Sequence, residues 1–276
     1  MSVRIVRHPT ADGFLARAEA WLLEAEAEHN LPLALAGGLR GRPLASEYFA
    51  TIECDGAVAG CAFRTPPYKF GVTRMPAAAI PVLVDAVGAV FPTLDLVLGP
   101  PDTAAAFARA WCDRTGASPR PGLAQRIYRL DRVQPPPHPP AGLLRTATSD
   151  DLTLVAQWLH AFGEEAHPVE NPEAMARMRV ERGEIALWVD DGVVRSMAAS
   201  VGRTRNGARI GMVYTTPAAR GRGYASACVA ALSQRVLDDG ARFCMLYTDL
   251  ANPVSNAIYQ RIGYVPVADA TDWWLR

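Results

Sequence analysis

The stretch that most constrains this chain runs over residues 210–231, Ile-Gly-Met-Val-Tyr-Thr-Thr-Pro-Ala-Ala-Arg-Gly-Arg-Gly-Tyr-Ala-Ser-Ala-Cys-Val-Ala-Ala. Residues 210–215 are apolar and β-compatible, which predicts a strand. Pro217 has no N–H for a sheet ladder and ends it. Arg220, Gly221, Arg222 and Gly223 follow. Ala225, Cys228, Val229, Leu232 and Val236 then recur at helical spacing, so a helix starts near Gly223. A strand, a glycine turn and a helix N-terminus together make an anion cradle. The first-turn N–H groups have no intrahelical acceptors, and the helix dipole adds partial positive charge there. Glycines let a phosphate approach the backbone, and arginines bring full charge.

Three phosphate patterns compete for this loop. A P-loop needs Lys then Ser or Thr after its last glycine, and Tyr224 and Ala225 stand there. A dinucleotide fingerprint needs a third glycine, and Ser226 occupies that place. The third pattern is R-x-x-G-x-A, Arg220 to Ala225, directly after a strand ending in Val-Tyr-Thr. It resembles the pyrophosphate loop of the GNAT superfamily of acyl-CoA N-acyltransferases. Taken alone, the loop is equally a surface turn feeding an amphipathic helix. Downstream, residues 244–248 (Cys-Met-Leu-Tyr-Thr) look like a second buried strand. Asn252, Tyr259 seven residues on, and the pair Gly263-Tyr264 follow in the order of the second half of the GNAT signature. The resemblance covers residues 141–276, about half the chain.

A chain of 276 residues predicts two domains, and half of its residues are apolar, enough for two cores. Residues 1–133 predict strands at 3–6, 48–54, 58–63, 70–73, 95–98 and 125–130. Helices are expected at 14–28, 76–90 and 103–114, and a hairpin turn at Asp55-Gly56. Residues 141–276 predict strands at 143–146, 185–189, 193–201, 210–215 and 244–248, one from Val265, and a further one at 272–276. Helices are expected at 150–162, 172–182, from Gly223 and from Val254. The two halves share one element order. The expected fold class is therefore α/β (α+β), two GNAT-like domains, each a mixed, mostly antiparallel sheet flanked by helices. The expected boundaries are 1–134 for a degenerate first copy, 135–140 for a stiff Pro-rich linker and 141–276 for the catalytic copy. Where the first copy should carry its phosphate loop it has Thr73-Arg74-Met75-Pro76-Ala77-Ala78, with no glycine pair.

Lys plus Arg equals Asp plus Glu, so the formal net charge is zero and no basic excess points to nucleic acid. No apolar run reaches membrane-spanning length, and the start lacks the apolar core of a secretion signal. Five cysteines without a C-x-x-C pair predict free thiols in a reducing, cytoplasmic setting, and clustered metal ligands are not found.

The resemblance implies acetyl-CoA (coenzyme A) as the cofactor, no metal, and direct acetyl transfer to an amine in a ternary complex. It implies that the strand before the loop and the strand after the helix splay apart. The pantetheine arm would then lie along the backbone of Met212, Val213, Tyr214 and Thr215, one N–H facing the thioester carbonyl. Arg220, Gly221, Arg222, Gly223, Tyr224, Ala225 and Ser226 would hold the diphosphate. Tyr259 is the candidate general acid, with packing on the sheet as the alternative. Asn252, Ser255 and Asn256 either hold pantetheine or cap the following helix. Glu164 and Glu165, near His167, are the candidate acceptor-side carboxylates, to take the amine proton through a water or to bind a cationic acceptor, against a solvated acidic pair. Cys228 and Cys244 belong to the core, which disfavours an acyl-cysteine intermediate. The partners expected are an amine-bearing small molecule or peptide, with a homodimer open, and neither nucleic acid nor membrane. The competing function is an acyl-CoA-binding sensor without turnover.

Overall fold

The structure is a computed structural model and describes residues 2–166 and 169–276. In chain order its first elements are β1 (Val3–Arg7), α1 (Ala11–Leu23), α2 (Asn30–Gly38), β2 (Tyr48–Cys54), β3 (Ala57–Arg64), β4 (Phe70–Val72), α3 (Ala79–Gly88), β5 (Leu96–Gly99), α4 (Pro101–Thr115) and β6 (Arg120–Leu130). They are followed by β7 (Leu143–Thr146), α5 (Leu152–Glu165), α6 (Pro172–Glu181), β8 (Ile185–Asp190), β9 (Val193–Arg203), β10 (Gly207–Thr215), α7 (Tyr224–Asp238), β11 (Phe243–Asp249), α8 (Pro253–Arg261) and β12 (Val265–Trp274). The chain divides into two compact units, one of residues up to 127 with 248–251 and 267–276, the other of residues 128–247 and 252–266.

In the first unit β1, β2, β3 and β4 pair antiparallel in succession, β4 pairs parallel with β5, and β5 antiparallel with β12. The β2–β3 hairpin turns on Asp55 and Gly56, both at positive φ, the two-residue turn whose twist suits flanking strands. Helix α1 starts where Thr10 accepts a hydrogen bond from the Gly13 N–H at 3.0 Å. Its buried face is Ala11, Phe14, Leu15, Ala18 and Leu22. In the second unit β7, β8, β9 and β10 are antiparallel in succession, and β10 pairs parallel with β11. Asp191 and Gly192 repeat the positive-φ hairpin turn between β8 and β9.

The strands of the second unit have a different helix layer on each face. Val155, Trp158 and Leu159 of α5 and Ala176 and Val180 of α6 pack with Met197, Ala199 and Tyr214. Ala227, Cys228 and Leu232 of α7 pack with Ala186, Ala198, Ala208 and Ile210. Each fully buried leucine or valine in these layers contributes about 1.5–3 kcal/mol relative to exposure.

Some boundaries differ from expectation. Helix α2 was not expected, because Pro32, Gly37 and Gly38 sit where turn residues are normally read. Helix α1 begins at Ala11 and ends at Leu23 rather than running over 14–28. Helix α3 begins at Ala79, which places Pro81 in the first turn, where no helical hydrogen bond is lost. The two strands expected after Val265 are one, β12. Asp269 and Asp272 interrupt its apolar pattern but are paired, Asp269 with Arg126 Nε and Nη2 at 2.7 and 3.0 Å and Asp272 with Lys69. No described helix is long and apolar enough to cross a membrane.

Candidate functional site

The site is built on β10. Its pairing with β11 covers only Gly207, Ala208 and Arg209, opposite Phe243, Cys244 and Met245. Both strands continue, to Thr215 and Asp249, so beyond Arg209 the edge of β10 that faces β11 is unpaired. The other edge stays tied to β9. Ser196 Oγ donates to the Tyr214 carbonyl at 3.1 Å and lies 2.8 Å from Thr215 Oγ1. Between Gly211 and Tyr214 the β9–β10 register shifts, and Met212 takes φ +51°, the left-handed region that non-glycine residues rarely enter. Such a bulge withdraws backbone groups from the ladder and re-aims them. Strain of this kind persists only where packing imposes it. Here Met212 and Tyr214 sit against the α5–α6 layer, Tyr214 with its ring 5.6 Å from Trp158, while Val213 packs on the α7 side.

At the end of β10 a turn of 3₁₀ helix (Pro217–Ala219) leads into the glycine loop. Gly221 and Gly223 have φ of +75° and +82°, so a side chain at either would be strained. The hydrogen bond from Ala227 N–H to the Gly223 carbonyl, 3.0 Å, closes the first turn of α7. The preceding N–H groups of Tyr224, Ala225 and Ser226 have no intrahelical acceptor, and α7 has no side-chain N-cap. Arg220, Gly221, Arg222 and Gly223 are exposed. Arg222 makes no ion pair among the described residues. Arg220 Nη2 donates to both oxygens of Glu165 at 2.7 Å, Nε donates to the Thr215 carbonyl at 3.0 Å, and the guanidinium lies 5.8 Å from the Tyr214 ring centre. Tyr224 turns inward, and its hydroxyl donates to Asp190 at 2.5 Å, which pushes its pKa up. Pro140 of the Pro-rich segment lies against Gly223, 3.5 Å from where a Cβ would stand. Uncapped N–H groups, two left-handed glycines and two exposed arginines suit a diphosphate.

Helix α8 supplies Tyr259. Its ring is buried and meets Tyr264 edge-on at 6.0 Å. Among the described residues its hydroxyl has no hydrogen-bond partner, and burial pushes its pKa up to about 12. Asn252 caps α8: its Oδ1 accepts from the Ser255 N–H at 3.0 Å. Asn256 Nδ2 donates to the Asn252 carbonyl at 2.7 Å, and its Oδ1 accepts from the Tyr128 hydroxyl at 2.9 Å. Gln260 Nε2 also donates to that hydroxyl, at 3.0 Å. Ser255 is half-buried in the first turn of α8. Gly263, φ +104°, must be glycine because a Cβ there would stand 2.8 Å from the Arg132 carbonyl oxygen. This closeness lets Tyr264 turn into the core, where its hydroxyl lies 2.8 Å from Ser233 Oγ.

Glu164 and Glu165 end α5 and do not act as a pair. Glu164 is exposed and lies 3.6 Å from His160 one turn earlier, whereas Glu165 is held by Arg220. His167 lies outside the described residues. Cys228 and Cys244 are buried, with thiols pushed up to about 12 by desolvation, so neither is a thiolate near neutral pH. Among the described residues no group of His, Cys, Asp and Glu could hold a metal ion. Sequence inspection missed three contributors: Tyr128, Asp190 and Pro140. None carries a motif signal, since each reaches the site only through folding.

Residues 152–264 match the family model described as Acetyltransferase (GNAT) family. No curated protein matches the chain. Among solved structures, a GCN5-related N-acetyltransferase from Sphaerobacter thermophilus is similar with a TM-score of 0.65 at 18% identity, covering 99% of this chain and 96% of its own. A GNAT-family acetyltransferase from Colwellia psychrerythraea gives 0.60 at 10% identity, with 99% of each chain covered. A tandem GNAT protein from the clavulanic acid biosynthesis pathway gives 0.60 at 18% identity, covering 99% of this chain and 98% of its own. At these identities the likeness is one of fold. It extends over both units, which supports a tandem arrangement.

Proposed function

We propose that this protein, whose residues 152–264 form a domain of the GNAT acetyltransferase family, transfers an acetyl group from acetyl-CoA to a primary amine, in its second unit. The observation that carries this reading is the unpaired edge of β10 from Ile210 to Thr215, with the bulge at Met212 inside it. An extended amide chain can pair with that edge as an added strand does, and the α7 N-terminus at its end takes the diphosphate. Tyr224, Ala225 and Ser226 offer N–H groups there, and Arg220 and Arg222 offer charge.

The bulge aims an N–H of Met212 or Val213 at the thioester carbonyl oxygen. A preorganised donor of this kind contributes about 3 kcal/mol as negative charge develops on that oxygen. The amine nitrogen attacks the carbonyl carbon, the C–N bond forms, the C–S bond breaks, and the amine gives up one proton while the departing sulfur gains one. Tyr259 donates to that sulfur. A phenol at about 12 is a weaker acid than a thiol near 8.5. Full transfer is therefore uphill by about 5 kcal/mol. Tyr259 acts chiefly as a positioned hydrogen-bond donor while the bond breaks, and its otherwise unpartnered hydroxyl is free to do so. Asn252 and Asn256 hold α8 in place. Glu165 restrains Arg220, and Glu164 is left as the solvent-facing acceptor-side carboxylate. With both thiols protonated, acyl transfer through cysteine is disfavoured and a ternary complex follows.

The test mixes the protein with acetyl-CoA and a panel of amines and follows free thiol. Amine-dependent thiol release is expected. Tight acetyl-CoA binding without release from any amine would leave an acyl-CoA-binding sensor instead. The acceptor is a small molecule or peptide, the setting cytoplasmic, and the Pro-rich residues 135–140 precede the catalytic copy.

A further inference from the structure

Arg209 is the one charged side chain in the apolar run of β10. Ala208 and Ile210 on either side of it pack against α7, so alternation turns Arg209 to the opposite face, where α5 and α6 lie. It is also the last residue of β10 paired with β11, so it stands where the two strands begin to part. It is half-buried and has no hydrogen bond or ion pair among the described residues. The titratable groups that act on it are Tyr247 of β11 and Arg179 of α6, with no carboxylate among them, and desolvation pushes its pKa down. Arg179 is itself matched by Glu184, with Nη1 donating at 2.6 Å. A guanidinium brought out of water where two strands begin to part, without an acid partner among the described residues, is a costly arrangement that an anion relieves.

We propose that Arg209 binds the carboxylate of the acceptor, so that the amine acetylated by this protein belongs to an amino acid rather than to a polyamine or an aminoglycoside. This rests on the acyltransferase function proposed above and names the substrate class of the same site. Arg209 precedes Val213 by four residues, about 13 Å of strand or less with the bulge. An extended arginine and an amino-acid-sized acceptor together bridge that distance, carboxylate toward Arg209 and amine toward the thioester. A guanidinium also suits a carboxylate in geometry, through two parallel N–H donors. A polycation would meet like charge there.

The test compares the common L-amino acids, their carboxamides and spermidine as acceptors, by thiol release and by calorimetric binding to the CoA-loaded protein. The expected result is that at least one amino acid is accepted, its carboxamide has at least tenfold lower kcat/KM, and spermidine is not used. Arg209→Gln should raise KM for the amino acid at least tenfold and bring the acid-to-amide ratio close to one, with acetyl-CoA Kd unchanged as evidence of a folded protein. Arg209→Lys should restore part of the preference. Equal use of acids and amides, use of spermidine, or a preference that survives Arg209→Gln would overturn the proposal. If no amine releases thiol although acetyl-CoA binds, the acyltransferase function fails, and the calorimetric arm still decides Arg209. Amino-acid binding that disappears in Arg209→Gln supports the assignment, and no amino-acid binding to the wild type overturns it.

Discussion

The two units use the same pairing order, three antiparallel contacts and then a parallel one, but end their fourth strands differently. In the first unit β4 has three residues, and the chain after it stays stitched to β3. Thr73 N–H donates to the Cys61 carbonyl at 2.9 Å, and the Cys61 N–H donates to Thr73 Oγ1 at 2.8 Å. The end of β5 closes onto it, since a Cβ on Gly99 would stand 2.6 Å from Val72 Cγ2. Helix α3 then starts at Ala79 without a positive-φ glycine before it. In the second unit the corresponding strand has nine residues, a bulge and a free edge, and two left-handed glycines follow it. The helices after the fifth strands sharpen the contrast. Both α4 and α8 open on proline, Pro101 and Pro253. The seventh residue of α4 is Phe107, fully buried and stacked on Phe70 of β4 at 5.3 Å. The seventh residue of α8 is Tyr259, with its hydroxyl unpartnered. One unit turns the strand end into core, worth about 2–3 kcal/mol per buried phenylalanine. The other leaves it open, at the cost of strain at Met212.

The strongest way to break this contrast is Tyr259→Phe, which gives the second unit the residue type of the first. It should lower kcat by about 100-fold or more while acetyl-CoA Kd and Tm stay near wild type, because the lost hydroxyl has no partner among the described residues. A matched fall in Kd and kcat would make Tyr259 a packing residue. Gly223→Val removes one of the two left-handed glycines that have no counterpart before α3 in the first unit. Left-handed strain of about 1–2 kcal/mol on a side-chain-bearing residue should weaken acetyl-CoA binding by about tenfold in calorimetry. The same titration of wild type should give one site per chain, and two sites would end the contrast between the units.

A smaller effect concerns the entry to α5. Arg145 grips Asp151 with bonds of 2.6 and 2.7 Å and holds its carboxyl down at about 2. The unfolded carboxyl titrates near 3.9. The stabilisation, about 2 kcal/mol, is thus fully present above that value and is lost as pH falls toward 2. Asp151→Asn should be less stable than wild type by that amount at pH 7, in denaturant melts, and equal to it near pH 2. A difference that persists at pH 2 would place the effect elsewhere. The smallest expected effect is that of Glu165→Gln. Releasing Arg220 from an exposed pair worth at most about 1 kcal/mol should tighten acetyl-CoA binding by up to about fivefold. Weaker binding would show that the pair positions the loop for its ligand.

Much of this was legible beforehand because it is local. The glycine loop, the Asp-Gly hairpins and the helices opening on Pro172 and Pro253 each announce themselves within a few residues. Helix α2 did not, since its apolar residues lack a one-sided period and it is flanked by turn formers. Asp269 and Asp272 hid the length of β12, because a strand pattern does not show that Arg126 and Lys69 will neutralise them. Within the candidate site, spacing alone singled out Tyr259 and the loop. That Glu165 meets Arg220 rather than Glu164, and that Asn256 is tied to Tyr128, depends on residues 55 and 128 positions apart.

By itself the sequence determined the repeated element order, the glycine loop before α7 and the absence of such a loop from the first half, because turn chemistry and periodicity act over a few residues. Only the tertiary structure decided where β10 parts from β11, that Met212 bulges, and that Arg209 faces the α5–α6 layer without an acid partner among the described residues. It also decided that the second compact unit starts at Tyr128 while residues 267–276 join the first. These outcomes depend on which backbone groups find partners across the sheet. That is settled by register and packing among distant segments, which no short stretch of chain encodes.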